Sequence, residues 1–365
     1  MRALGGTVTA GQGGASRALP RVSPKKIAVV FAGQGAQYPG MGRSLYETSA
    51  AARAVFDAAG EKVKRDCFDA TRDELNMTDV TQPTVYAVDM AAWAAFAERL
   101  GIGESAREAS ARPAPVAIVG MAGFSLGEYA AFTAAGVIPG IAAGIELVKE
   151  RGRLMAAAGR RADGSPRGAM AAVIGERGDI LELVEVARGE HILEAVNLNA
   201  PTQTAIAGDV EAIADFTEKA KASGKKLRVV PLPVSTAFHS PIMAPASDGI
   251  REAASKVAFG DPAYDLYLDM TARTLAEYAE GASGKISGGG SVIPDIIAAQ
   301  VKSPVRWQQI TEALAAAGAE AIVELGPGKA LTGFTKKTAP HVKALNVCDA
   351  ESLDAAVSAI IEENI

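Results

Sequence analysis

The feature that most constrains this chain is a short glycine-rich turn between a strand-like stretch and a helix-like one. Residues 123–127 read Gly-Phe-Ser-Leu-Gly, follow an apolar stretch at 115–120, and precede an alanine-rich stretch that ends at Gly136. The glycines allow the sharp turn of a nucleophile elbow, which exposes Ser125 at the carboxyl end of a strand and near a helix N-terminus. Two interpretations of Ser125 stay open here: an activated nucleophile, or the cap of a helix starting near Leu126.

Two further apolar stretches of strand length also end in glycine loops. Residues 27–31 read Ile-Ala-Val-Val-Phe and lead into a loop at 33–35, and residues 321–325 end in Gly-Pro-Gly. Short continuous apolar runs that alternate with helical patterns are typical of strands buried on both faces. The sequence therefore predicts an α/β fold with a mostly parallel sheet covered by helices on both sides.

The middle of the chain follows a different order of segments. Strand-like and helix-like patterns alternate as β-α-β-β-α-β at 169–175, 179–187, 192–197, 203–208, 210–222 and 227–234. This order predicts a small ferredoxin-like subdomain at 161–232, inserted into a large catalytic domain formed by 25–160 and 233–365. Residues 1–24 contain no acidic residue and show no period, which predicts a flexible N-terminal tail.

Charge and cysteine content exclude several classes of function. The net charge of −5 is spread over many charges of both signs, which favours neither nucleic acid nor a membrane surface as a partner. The two cysteines, Cys67 and Cys348, lack the spacing of a zinc site or a disulfide framework, so no metal is expected and the compartment is predicted to be reducing. No apolar run reaches the length that spans a bilayer. We expect a cytoplasmic protein.

A serine nucleophile needs a base, and the chain offers three histidines. A serine hydroxyl is weakly nucleophilic at neutral pH unless a neighbouring group, most often histidine, takes its proton. His191 lies at the entrance to a strand of the small subdomain and His341 lies near the C-terminus, where solvated or structural roles fit. His239 lies where the chain leaves the small subdomain, so it could face a cleft between the two parts. It is the best candidate for the base.

The glycine loop after the first strand does not match a dinucleotide fingerprint. Residues 33–38 read Gly-Gln-Gly-Ala-Gln-Tyr, so Tyr38 stands where the third glycine would be. The loop is better suited to point a backbone N–H at an oxyanion, together with the N–H of Leu126.

Eight stretches, taken together, resemble one family. They occur in family order and cover nearly everything from Lys26 to about Lys337, at 31–37, 81–83, 123–129, 151–155, 199–203, 237–240, 304–307 and 324–333. The chain thus resembles the malonyl-CoA:acyl-carrier-protein transacylases, which include the acyltransferase domains of fatty-acid and polyketide synthases. The resemblance implies an α/β-hydrolase-like core with a ferredoxin-like insert, as the pattern of segments also predicts.

The resemblance implies a role for each of several residues. Ser125 would be the nucleophile and His239 its base, oriented by a backbone carbonyl at the position of Gln300. The implied oxyanion hole consists of the N–H groups of Gln34 and Leu126.

Further positions of this sequence match residues that contact the acyl group in the family. Arg151 matches the arginine that holds the free carboxylate of malonate, for which a planar guanidinium is suited. Asn199 matches a position lining the cleft near the histidine, and Phe238 matches the malonyl-selective pattern. Phe124 stands where many members have a histidine near the arginine, and the Phe124 side chain cannot supply a hydrogen bond to help hold Arg151.

The implied activity is the transfer of malonyl from coenzyme A to the phosphopantetheine of acyl carrier protein, in fatty-acid biosynthesis. The implied substrates are malonyl-CoA and phosphopantetheinyl acyl carrier protein, with no bound cofactor and a monomeric enzyme. Three alternatives stay open: a polyketide-type acyltransferase, a serine thioesterase that uses His341, and a catalytically silent module that docks carrier proteins.

Overall fold

The strands of the computed structural model, which describes residues 24–102, 116–234 and 236–362, form two separate sheets. The strands are β1 Lys25–Phe31, β2 Val116–Gly123, β3 Gly168–Ile174, β4 Leu193–Ala200, β5 Gln203–Asp209, β6 Arg228–Pro231, β7 Leu266–Tyr267, β8 Ala321–Leu325 and β9 Lys343–Val347.

Helices fill most of the intervening chain. The α-helices are α1 Arg43–Thr48, α2 Ala50–Ala59, α3 Glu61–Asp69, α4 Arg72–Leu75, α5 Thr78–Leu100, α6 Gly127–Ala134, α7 Ile141–Ala158, α8 Arg177–Arg188, α9 Val210–Ala222, α10 Ala244–Ala254, α11 Leu275–Gly281, α12 Ile293–Gln300, α13 Trp307–Ala316, α14 Ala330–Thr338 and α15 Ala350–Ile361. A 3₁₀-helix at Pro241–Met243 follows His239 and leads directly into α10.

The larger sheet is parallel throughout. Its order is β7-β2-β1-β8-β9, and each neighbouring pair runs in the same direction. Along β1, Ile27, Val29 and Phe31 join the core on one face, while Ala28 and Val30 join the core on the other. A strand covered on both faces must be apolar at every position, which explains the continuous apolar run in the sequence. The prediction of a mostly parallel, doubly covered sheet is confirmed.

The smaller sheet is antiparallel and has the predicted ferredoxin-like order. Its strands lie in the order β4-β5-β3-β6, with α8 and α9 packed through a core of their own. The last strand is shorter than predicted: β6 ends at Pro231 instead of continuing to Val234. Pro231 and Pro233 lack an N–H, so this stretch cannot continue a regular ladder. The strands lie within 161–232, while the domain boundaries themselves stay a prediction.

Some predictions fall on parts of the chain outside the description. The predicted tail at 1–24 lies outside the described residues except for Pro24.

Across the three described ranges, no helix combines the length and apolar character that crossing a lipid bilayer requires.

Close backbone packing explains the two glycines of the elbow. A Cβ atom at Gly123 would overlap the backbone of Gly127 and Glu128, at the start of α6. A Cβ atom at Gly127 would overlap the carbonyl oxygens of Phe31 and Ala32, at the end of β1. The turn therefore holds strand, helix and neighbouring strand closer together than any side chain would allow.

Replacing Gly123 by Ala should destabilise the fold, because backbone atoms cannot move aside as a flexible side chain can. We expect Gly123→Ala to lower the free energy of unfolding by about 3 kcal/mol. Gly178→Ala is the matched control: Gly178 lies in α8 with nothing within 4 Å of its added Cβ, so stability should stay the same or rise. Urea denaturation followed by circular dichroism measures both, and equal midpoints would contradict the packing argument.

Candidate active site

Ser125 sits on a strained turn between β2 and α6. Its φ angle is 54°, in the left-handed region that residues with a side chain rarely adopt, and the residue is almost fully buried. Its backbone N–H donates to Asp269 Oδ2 over 3.1 Å. The interpretation of Ser125 as a helix cap is wrong, since α6 has no side-chain cap and the Ser125 hydroxyl is engaged elsewhere.

His239 holds the geometry of a base for Ser125. Its Nε2 lies 2.7 Å from Ser125 Oγ, and its Nδ1 lies 3.1 Å from the Gln300 carbonyl oxygen and 2.9 Å from that of Ser303. A carbonyl can only accept a hydrogen bond, so Nδ1 carries the proton and Nε2 presents its lone pair to the serine. The carbonyl of Gln300 was expected here, whereas that of Ser303 was not.

The other two histidines are remote from this geometry. His191 is exposed, with its Nδ1 3.7 Å from Asp209 Oδ2, and His341 is exposed two residues before β9, at the amino ends of the parallel strands. Neither forms a hydrogen bond with Ser125. Of the three histidines, the structure brings only His239 to the serine.

Burial keeps the His239 ring neutral. Burial and the nearby positive charge of Arg151 lower the pKa of His239 to about 4, against the smaller opposing effect of its two carbonyl acceptors. The ring is therefore unprotonated at neutral pH and can accept the serine proton.

Arg151 is a buried cation beside Ser125. It lies on α7, is 1% exposed, and its Nη2 donates to Ser125 Oγ over 3.1 Å and to Gln300 Oε1 over 3.0 Å. The guanidinium lies over the Tyr129 ring, 5.3 Å from its centroid. Within the described ranges, its Nε has no hydrogen-bond partner and no carboxylate pairs with it. A buried guanidinium with an unused donor suits an incoming anion.

The Phe124 side chain is not among the groups whose contacts position Arg151. Its ring packs edge-on against Trp307, with centroids 5.3 Å apart, and against Phe334 on the α13 and α14 side of the large sheet. The contacts of Arg151 come instead from Ser125, Gln300 and Tyr129, and none of these needs a hydrogen bond from residue 124.

The loop with Gln34 packs against the elbow. A Cβ atom on Gly33 would overlap the Phe124 carbonyl, and the Phe124 N–H donates to the Phe31 carbonyl over 3.0 Å. Within the part of the chain that the structure describes, the N–H groups of Gln34 and Leu126 donate to no protein acceptor. Two available N–H groups flanking a nucleophile are compatible with an oxyanion hole, which stays a prediction.

Two expected site residues form no hydrogen bond with the serine, the histidine or the arginine. Phe238 is buried immediately before His239. Asn199 is buried on β4, and its Oδ1 has no partner among the described residues. Their roles stay predictions.

Two buried carboxyl groups, Glu128 and Asp269, lie beneath the elbow and were not predicted from the sequence. Glu128 Oε2 accepts from Gln300 Nε2 over 2.6 Å, and Glu128 Oε1 accepts from the Asp269 N–H over 2.8 Å. Burial raises the pKa of both groups, and that of Glu128 rises to about 7. Glu128 follows the elbow directly, so an acidic residue beginning a buried helix was a detectable signal. Asp269 is 144 positions from Ser125, and no local feature of the sequence indicated it.

The side chains around Ser125 form a chemically capable set. Among the side chains that the structure describes, no three His, Cys, Asp or Glu residues are placed to hold a metal ion. The site offers a serine hydroxyl, a neutral imidazole in hydrogen-bond contact with it, and a cation with a free donor. Such a set can form and discharge an acyl-serine.

Comparison with known proteins gives consistent matches along the chain. The family profile described as acyl transferase domain matches residues 28–355. A Bacillus subtilis protein named malonyl CoA-acyl carrier protein transacylase is 32% identical over 345 residues, covering 93% of this chain and 98% of the relative.

Solved structures of similarly named proteins also match most of the chain. The crystal structure of a protein of that name from Clostridium perfringens is 30% identical, with a TM-score of 0.78, covering 92% of this chain and 98% of the other. A malonyl-transacylase solved in complex with a holo type II polyketide acyl-carrier protein is 31% identical, with a TM-score of 0.76, covering 92% of this chain and 99% of the other.

The pH dependence of Ser125 reactivity should follow His239. Since only the neutral ring accepts the serine proton, the reaction rate with a serine-directed phosphonate should fall as pH drops through about 4. The measurement is the inactivation rate against pH, over the range where circular dichroism shows a folded protein. His239→Ala is the control and should react slowly at every pH. A wild-type rate that does not fall as the pH drops through about 4, while the protein stays folded, would contradict a buried, neutral base.

Proposed function

The chain belongs to the acyl transferase domain family, and from this premise we propose that it transfers malonyl from malonyl-CoA to the phosphopantetheine thiol of acyl carrier protein. The observation that carries the proposal is Arg151, whose buried guanidinium touches the nucleophile and keeps an unused donor. A hydrolase acting on neutral acyl groups would have no use for a buried cation there, because burying a charge is costly. An acyl group that ends in a carboxylate supplies its partner.

The first half-reaction loads the serine. His239 Nε2 takes the Ser125 proton as Oγ attacks the thioester carbonyl carbon, and the N–H groups of Gln34 and Leu126 would stabilise the resulting oxyanion. The C–S bond then breaks, the proton passes from His239 to the sulfur, and coenzyme A leaves as the thiol. Malonyl-serine remains, with its free carboxylate on Arg151.

The second half-reaction reverses the roles of the two heteroatoms. His239 takes the proton of the phosphopantetheine thiol, and the sulfur attacks the carbonyl carbon of malonyl-serine. The C–O bond breaks and Ser125 Oγ regains a proton from His239, so no oxidant or further reactant is needed. The carrier leaves as its malonyl thioester.

Several finer assignments belong to the same proposal. Fatty-acid biosynthesis is the proposed pathway, and the polyketide pathway is the alternative, since one similar structure is of a transacylase with a polyketide carrier. Phe238, buried beside His239, would crowd an α-methyl branch and favour malonyl over methylmalonyl. The expectations of a monomer, a cytoplasmic location and no bound cofactor stay predictions.

The thioesterase alternative loses its proposed base. It needed His341, which is exposed and forms no hydrogen bond with the serine, whereas His239 lies in contact with it. A catalytically silent docking module would form no acyl adduct on Ser125.

Malonyl-CoA should leave a covalent malonyl group on Ser125. We expect intact-mass measurement after brief incubation to show one malonyl adduct, which disappears on addition of phosphopantetheinyl acyl carrier protein. Ser125→Ala should form no adduct, and methylmalonyl-CoA should compete poorly. An adduct that survives in Ser125→Ala, or a wild-type protein that forms none, would sink the proposal. Rapid acyl-CoA hydrolysis without carrier would favour the thioesterase alternative.

Removing the Arg151 guanidinium should affect malonyl far more than acetyl. Each lost hydrogen bond to a charged group contributes about 1.5 to 3 kcal/mol, so Arg151→Ala should slow malonyl loading by about 100-fold, while acetyl loading falls much less. Arg151→Lys is the control that keeps the charge without the planar fork, and it should be intermediate. Acyl-serine formation from each thioester, measured by mass against time, reports the two rates. Equal losses for both acyl groups would refute the carboxylate role.

A further inference from the structure

Glu128 is a buried carboxylate with a donor on each of its two oxygens. It is 2% exposed and is the second residue of α6, two residues after the elbow's Leu126. Oε1 accepts from the fixed backbone N–H of Asp269 over 2.8 Å, and Oε2 accepts from Gln300 Nε2 over 2.6 Å. Since neither oxygen is spare, an uncharged replacement that places a donor at either position would meet another donor.

The amide of Gln300 is held in one orientation by acceptors on its nitrogen side. Its Nε2 lies 2.6 Å from Glu128 Oε2, 2.8 Å from the Ser125 carbonyl and 3.3 Å from Asp269 Oδ2. All three are acceptors, so the nitrogen must face them and the amide oxygen must face away. Gln300 is itself fully buried, so no solvent competes for these bonds.

The amide oxygen of Gln300, Oε1, is one of two oxygens that accept a hydrogen bond from Arg151 Nη2. Within the described ranges, this nitrogen donates to Gln300 Oε1 and to Ser125 Oγ, which is also the atom that reacts. The amide of Gln300 therefore lies between an anion and a cation, with its nitrogen toward Glu128 and its oxygen toward Arg151.

We propose that Glu128 is a positioning residue that orients the Gln300 amide, and through it the Arg151 guanidinium, so that the enzyme favours acyl groups bearing a carboxylate. The inference rests on the proposed function, since it assigns how the malonyl-binding cation is held. Glu128 touches no substrate in this scheme. Its effect reaches the acyl group through two consecutive hydrogen bonds.

Asp269 is a second buried carboxyl group at this site, and its hydrogen bonds differ from those of Glu128. Only its Oδ2 accepts hydrogen bonds, from the Ser125 N–H and from Gln300, while Oδ1 has no partner among the described residues. In Asp269→Asn the amide oxygen can take the place of Oδ2, and the new NH₂ falls where nothing was bonded. Asp269 should therefore tolerate loss of its charge, and Glu128 should not.

Glu128→Gln should leave the Gln300 amide without a satisfied orientation. The backbone N–H of Asp269 is fixed, so the oxygen of the new glutamine should face it, leaving an NH₂ group toward Gln300 Nε2. If the Gln300 nitrogen stays in place, it meets this donor; if the amide turns, its oxygen faces the Ser125 carbonyl and Asp269 Oδ2, and its NH₂ faces Arg151. In both cases the amide is displaced, and Arg151 loses the fixed position of its acceptor.

The test compares malonyl and acetyl loading of the full chain for the wild type, Glu128→Gln and Asp269→Asn, by intact mass against time. We expect the malonyl-to-acetyl rate ratio to fall about tenfold in Glu128→Gln, as for loss of one hydrogen bond to a charged group, and to stay unchanged in Asp269→Asn. Circular dichroism verifies that each variant is folded. An unchanged ratio in folded Glu128→Gln would overturn the proposal, and so would equal decreases in both variants, which would indicate charge alone.

If Glu128→Gln does not fold, Gln300→Leu tests the same proposal, because it removes the amide that connects Glu128 to Arg151. It removes the acceptor for Arg151, and Glu128 can take up a proton instead of staying an unpaired anion. A malonyl-to-acetyl ratio that falls supports the proposal, and one that holds overturns it. Failure of the wild type to form any malonyl adduct would be a different result, because it would overturn the proposed function itself.

Discussion

The structure of the site depends on the backbone turn at Ser125. A φ of 54° for a residue with a side chain costs about 1 to 3 kcal/mol, and the surrounding contacts must hold it. Asp269 accepts from the Ser125 N–H, Gln300 donates to its carbonyl, and the missing side chains of Gly123 and Gly127 let β2, α6 and β1 close around it. The turn is therefore fixed on both sides of the reactive hydroxyl.

Electrostatics divides this buried site into two layers. The hydroxyl of Ser125 faces a neutral imidazole and a guanidinium. Its backbone N–H donates to Asp269, and its carbonyl accepts from Gln300, which also donates to Glu128. The positive charge of Arg151 lowers the pKa of His239, and burial raises the pKa of the two carboxyl groups below. A glutamine, which is neutral and has one donor side and one acceptor side, can join the two layers without adding a charge.

The sequence supported most of the fold because its signals were local. Continuous apolar strands such as 27–31 and the β-α-β-β-α-β order of the small sheet follow from patterns within a few residues. The candidate nucleophile and base were likewise identified, one from its turn and the other from its place at a junction. Ser303 and Asp269 escaped detection, because a backbone carbonyl carries no sequence signal and Asp269 reaches Ser125 only through the folded chain. The packing of the Phe124 ring against Trp307 and Phe334 was also not predicted, because these partners lie far along the chain.

The order of the segments that meet at Ser125 also bears on how the site comes into being. Its partners His239, Asp269 and Gln300 lie 114, 144 and 175 positions along the chain, beyond the whole of the inserted small sheet. Such distant pairings close large loops, which is the slow part of folding. The small sheet can fold through its own core while the serine still lacks every one of these partners. Ser125 therefore meets its base and the groups that fix its backbone only after the chain has been made through Gln300.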